Sequence, residues 1–174
     1  SDAFIAKYRA AQRARNRRIT DWAKAELARL NAAGIPDRIF PMFRCWGDIR
    51  CVDPAIDPSD RKPNWCYRGD PAVANRTPSI GRANTLKTWL NMWSLETSPC
   101  QGQPHLAKHD TPALVVQGTA DTGVFPSDAR KIFEFLGSSD KTLELVPGAH
   151  YFEDSIEERH NAADLVGAWI REKL

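Results

Sequence analysis

Residues 111–126 read Thr111-Pro-Ala-Leu-Val-Val-Gln-Gly-Thr-Ala-Asp121-Thr-Gly-Val-Phe-Pro126, and residues 142–150 read Thr142-Leu-Glu-Leu-Val-Pro-Gly-Ala-His150. Each begins as a short apolar run and ends in a glycine-containing turn that carries one ionisable group. A continuous apolar run such as 113–117 predicts a strand buried on both faces of a parallel sheet, and 142–146 predicts a second one. Between them, residues 127–136 have the spacing of an amphipathic helix closed by Gly137. Residues 155–174 follow with an apolar stripe of Ile156, Ala163, Val166, Trp169 and Ile170. Strand, helix, strand, helix with short connections is a βαβα unit and places the chain in the α/β class. Two strands do not complete such a sheet, so neighbours from an upstream segment or a partner chain are expected.

In open α/β sheets, functional groups collect at the carboxyl ends of the strands. Asp121 lies just past the first predicted strand and His150 just past the second. A carboxylate beside an imidazole can fix the ring's tautomer and stabilise its charged form. Gly118 and Gly123 are expected to let the acid loop turn tightly, and Gly148 to do the same before His150.

These two turns resemble the acid-bearing turn and the histidine turn of the α/β-hydrolases. The resemblance is close over 111–174 and covers the family's acid-then-histidine order, with a nucleophile expected earlier in the chain. It implies a hydrolase of the serine esterase or acyl-hydrolase type. Asp121 and His150 would be two members of its catalytic triad, acting on a small-molecule acyl substrate without a cofactor. A dehalogenase or a C–C bond hydrolase shares the same turns. The sequence departs from the family pattern in one respect: Gly-x-Ser-x-Gly is absent, and so is a His-Gly oxyanion motif. The resemblance therefore implies a nucleophile on an N-terminal half that precedes Ser1 or forms a separate chain, as in a processed or split hydrolase. This chain alone would be inactive.

On that reading, residues 1–104 form a mainly helical, loop-rich lid or cap, and 105–174 form the C-terminal part of the core. Residues 2–33 have helical spacing and no proline, and stop at Gly34 and Pro36; Asp2 is a candidate N-cap, and a break near 16–20 would let Thr20 cap a second helix. Residues 35–104 are proline-rich, with turn-forming Asp-Pro pairs and one more predicted helix over 80–95. Trp46, Trp65, Trp89 and Trp93 lie in this zone. Trp89 and Trp93, with Val124 and Phe125 of the acid loop, are candidate substrate-pocket residues.

Several other features read more plainly. The arginines at 9, 13, 15, 17 and 18 fit a solvated helix face, and a net charge of +2 is far from the basic excess of a nucleic-acid binder. No apolar run is long enough to span a bilayer. His105 and His109 have a spacing known from metal sites, but Pro104 argues against the helix that would align them, and no metal is expected. Asp128 suits a helix's first turn, and Asp154 the cap of the last helix. Ser1 as an N-terminal nucleophile is disfavoured because a helix follows it. Cys45, Cys51, Cys66 and Cys100 make an even count, open to disulfides if the chain is exported and to free thiols otherwise; a Cys45–Cys51 bridge would close a short loop. The compartment is left open. The rival to an enzyme is a non-catalytic binding protein on the same fold.

Overall fold

A computed structural model describes residues 1–41, 48–67, 69–74 and 83–173. The chain is a mixed α/β protein with two small sheets among the described residues, one antiparallel and one parallel. It divides into two compact units, Ser1–Trp46 with Asn75–Gln101, and Gly47–Ala74 with Gly102–Leu174. This partition is not a single cut near residue 104: residues 47–74 lie within the first hundred residues yet pack with the C-terminal elements.

The first unit is built on helix α1 (Asp2–Ala32), whose first residue is Asp2 and whose N-cap position is Ser1. The helix ends as the sequence predicts. Gly34 takes φ +75, and the amides of Gly34 and Ile35 close on the carbonyls of Asn31 and Leu30, the pattern of a Schellman stop. There is no break at 16–20. Asn16 and Thr20 instead serve tertiary bonds: Asn16 Nδ2 donates to the Trp93 carbonyl at 2.8 Å, and the Trp89 indole N–H donates to Thr20 Oγ1 at 3.2 Å. Strand β1 (Ile39–Pro41) pairs antiparallel with β2 (Ala83–Thr85). The helical stretch that follows is shorter than the 80–95 expected, and residues 80–82 lie outside the described residues. It consists of helix α3 (Leu86–Thr88), capped by Thr85, running into a π-helical turn at Trp89–Trp93. Ala23, Leu30, Phe40, Leu86 and Trp89 are the core of this unit.

The second unit holds a 3₁₀ turn at Ile49–Cys51, the short helices α2 (Pro71–Ala74) and α4 (Gly102–Leu106), and the βαβα unit. That unit comprises β3 (Ala113–Gly118), α5 (Pro126–Phe135), β4 (Lys141–Val146) and α6 (Ile156–Lys173). Strands β3 and β4 are parallel and in register from Ala113 opposite Lys141 to Gly118 opposite Val146. Their apolar residues do not reach the burial that the sequence implies: Leu114, Val115, Val116, Leu143, Leu145 and Val146 are all only partly covered. No described helix is long and apolar enough to cross a membrane.

Cys51, Cys66 and Cys100 are free thiols, the first two buried and the third exposed; Cys45 and Trp46 lie outside the described residues. The expected Cys45–Cys51 bridge therefore falls outside the described residues. Burial, with the nearby Asp48 carboxylate, pushes the Cys51 thiol up to about 11. Because the folded value is raised, this group favours the folded state below its ordinary value near 9 and loses that contribution as pH rises through about 11. Only the thiolate alkylates, so the raised value and the limited access both slow the reaction of Cys51 at pH 8. Peptide mapping after brief iodoacetamide treatment at pH 8 should find Cys100 modified and Cys51 and Cys66 intact. Equal modification of all three would contradict this packing.

Candidate active site

The site follows from the parallel register. Gly118 and Val146 are opposite each other, so the loops that leave them start side by side. They stay joined: the Thr119 amide donates to the Val146 carbonyl and the Ala120 amide to the Gly148 carbonyl, each at 2.9 Å. A side chain at Gly118 would bring its Cβ to within 3 Å of the carbonyl oxygens of Gly148 and Ala149. Gly118 is therefore needed for close approach of two backbones rather than for a left-handed turn. Gly148 needs both freedoms, since it sits at φ +146 and a Cβ there would strike the Phe152 ring.

Asp121 is buried at 4% exposure, and every approach to its carboxylate is occupied by a donor. The amides of Gly123 and Val124 donate to Oδ1 at 2.6 and 3.0 Å, and Gln117 Nε2 donates to Oδ2 at 3.1 Å. His150 Nδ1 lies 2.9 Å from Oδ2 and 3.0 Å from Oδ1. A carboxylate is an acceptor only, so the Nδ1 position carries the imidazole proton and the neutral ring keeps its lone pair on Nε2. Among the described residues, nothing hydrogen-bonds Nε2. The His150 side chain is 25% exposed and opens on a cleft of about 340 Å³.

One wall of the cleft is the acid loop at Ala120 and Thr122, and another is Glu153 and Asp154 beyond the histidine. The remaining wall comes from Asp60, Lys62, Trp65 and Tyr67. Asp154 is thus a cleft residue, and the capping expected of it falls to Ser155, whose hydroxyl accepts from the Glu158 amide. Tyr67 reaches the imidazole through a tight reversal in which Cys66 and Gly69 exchange backbone hydrogen bonds at 2.8 Å. The stretch before it is anchored by arginines. Arg50 binds Asp48 at 2.7 Å and Asp128 at 3.0 Å. Burial works against its charge, but the hydrogen bonds it donates to those two carboxylates outweigh burial and hold the guanidinium above its ordinary value. Arg61, 4% exposed, donates to the carbonyls of Arg50, Ile56 and Asp57.

Asp121 and His150 are brought together as the sequence reading requires. Val124 and Phe125, two of the four candidate pocket residues, do not line this cleft. Phe125 is 2% exposed, with the guanidinium of Arg50 4.1 Å from its ring centre and that of Arg61 at 5.0 Å. Val124 spends its amide on Asp121 and its carbonyl on Gln117. Trp89 and Trp93 belong to the first unit, where Trp89 is core and the Trp93 indole donates to Asn84. Reading the sequence passed over Tyr67, Tyr151 and Gln117. Only Gln117 had a signal, a polar residue within an otherwise apolar strand. His105 lies in α4, and His109 lies beyond it, facing the Thr111 hydroxyl. No cluster of three possible metal-binding side chains occurs among the described residues. Compared with protein-family models, curated proteins and solved structures, the chain matches none.

The backbone contact at Gly118 has a measurable consequence. Gly118→Ala should destabilise the protein by about 1–3 kcal/mol, because two backbones must separate. Gly102→Ala meets only the tip of Leu106 at 3.4 Å and should cost much less. Urea unfolding followed by circular dichroism measures both, and equal effects would contradict the packing.

Proposed function

We propose that the chain supplies the acid and base of a hydrolytic triad in an α/β-hydrolase, with Asp121 as orienting acid and His150 as general base. The observation that carries this reading is the carboxylate of Asp121. It accepts from Gln117, Gly123 and Val124, and both of its oxygens lie within hydrogen-bond distance of His150 Nδ1. That arrangement leaves Nε2 available to take a proton from a nucleophilic hydroxyl and return it to a leaving group. Asp121 then stabilises the imidazolium formed in between. The partly covered apolar strands β3 and β4 support a sheet that continues into another segment, which would also bring the nucleophile and the oxyanion hole. The reaction is acyl transfer to water from an ester or amide.

The cleft rim favours some substrates over others. Asp60, Glu153 and Asp154 line it with one lysine, Lys62, whose ammonium lies 3.8 Å from the centre of the Trp65 ring. An excess of carboxylates disfavours anionic acyl groups and suits neutral or cationic ones.

The test uses the chain as it occurs in its native source, with whatever segment or chain accompanies it. A fluorophosphonate probe should label a serine outside these 174 residues. Hydrolysis of a neutral p-nitrophenyl ester should fall roughly 10³–10⁴-fold in His150→Ala and in Asp121→Asn. The chain alone should not hydrolyse the ester. Labelling and turnover that survive His150→Ala would refute the assignment.

A further inference from the structure

The acid loop fixes only one end of the imidazole. A hydrogen bond from Nδ1 to Asp121 leaves the ring able to swing about its side-chain torsions, and a general base works only when Nε2 is held on the reacting proton. Two further side chains meet the ring. Tyr67 lies 4.8 Å from the His150 ring centre at 67°, and Tyr151 lies 4.5 Å away at 71°, both edge-to-face. The two phenol oxygens are 2.8 Å apart and share a hydrogen bond, and the tyrosine rings are themselves at 75°. Three rings thus contact one another pairwise, with the phenols bonded to each other and the imidazole bonded to Asp121.

We propose that Tyr67 is a positioning residue, which acts with Tyr151 as a clasp that holds the His150 ring in one orientation. Gly123 supports the assignment. A Cβ at that position would lie 3.2 Å from His150 Nδ1 and 3.3 Å from the Tyr67 Cβ and ring. The loop that cradles the carboxylate is bare of side chain at the place where Tyr67 comes against the imidazole. Tyr67 is distant in sequence from both Asp121 and His150, and it is delivered by the stretch that Arg50 and Arg61 anchor. The Arg50 bonds to Asp48 and Asp128 are therefore part of what sets the ring.

The value of the clasp to catalysis rests on the general-base reading of His150, whereas the order it imposes on the ring does not. Nitrogen-15 spectra of imidazole-labelled protein separate the two. His150 signals are assigned by their loss in His150→Gln, and His105, His109 and His160 report that the fold is kept. The wild type should show one tautomer, protonated at Nδ1. Tyr67→Phe should retain that pattern because the ring contact survives. Tyr67→Ala, and Tyr67→Leu as a variant that keeps the bulk, should keep the Nδ1 proton that Asp121 fixes but show averaged, exchange-broadened His150 signals as the ring swings, with the other histidines unmoved. An unchanged His150 spectrum in both would overturn the clasp. In the assembled enzyme, Tyr67→Leu should lower kcat about 10–100-fold with little change in KM. Averaged spectra in a protein without any hydrolase activity would uphold the clasp and remove the triad.

Discussion

The site depends on one constraint: β3 and β4 run parallel and in register to their carboxyl ends, so that Gly118 and Val146 finish opposite each other. Everything chemical about the second unit starts there. Asp121 and His150 each follow their strand within a short turn, so the carboxylate and imidazole meet without a long flexible arm on either side. A slip of one residue in the register would send alternate side chains to the other face and separate the two groups. The acid loop also donates two backbone hydrogen bonds, to the Val146 and Gly148 carbonyls, beyond the paired residues, which carries the register forward as far as the site.

The carboxylate is costly to bury and is stable only because donors surround it. Gln117 and two backbone amides provide three of those donors. His150 joins these donors through Nδ1, which faces both carboxylate oxygens. Around this centre the surface is polar and partly open, while the strands behind it are only half covered. A sheet of two strands is marginal on its own, and the proposed function would give these half-covered strands a neighbour.

Much of this was legible in the sequence, because the signals were local. The apolar runs at 113–117 and 142–146 and the helical stripes beside them are short-range patterns, and the turns that end them contain the site residues. The stop at Gly34 was legible for the same reason. What was not legible depends on distant partners. Asn16 and Thr20 look like a helix break, yet they bind the backbone at Trp93 and the indole of Trp89. Residues 48–67 read as lid, and the tie from Arg50 to Asp128 has no local signal. Phe125 looks like a pocket residue from its place beside the acid, but two guanidiniums cover it. Tyr67 stands in a stretch without periodicity, where nothing local points to an imidazole far along the chain.

The central claim is an energetic one, that Asp121 and His150 act on each other and not merely beside each other. A double-mutant cycle measures it directly, with Asp121→Ala, His150→Ala and the double variant compared by urea unfolding. Groups in one hydrogen-bonded network couple by about 0.5–3 kcal/mol, and the account predicts a value in that range with the pair stabilising. Losses that add to within about 0.3 kcal/mol would mean that the two side chains do not interact, and would contradict it.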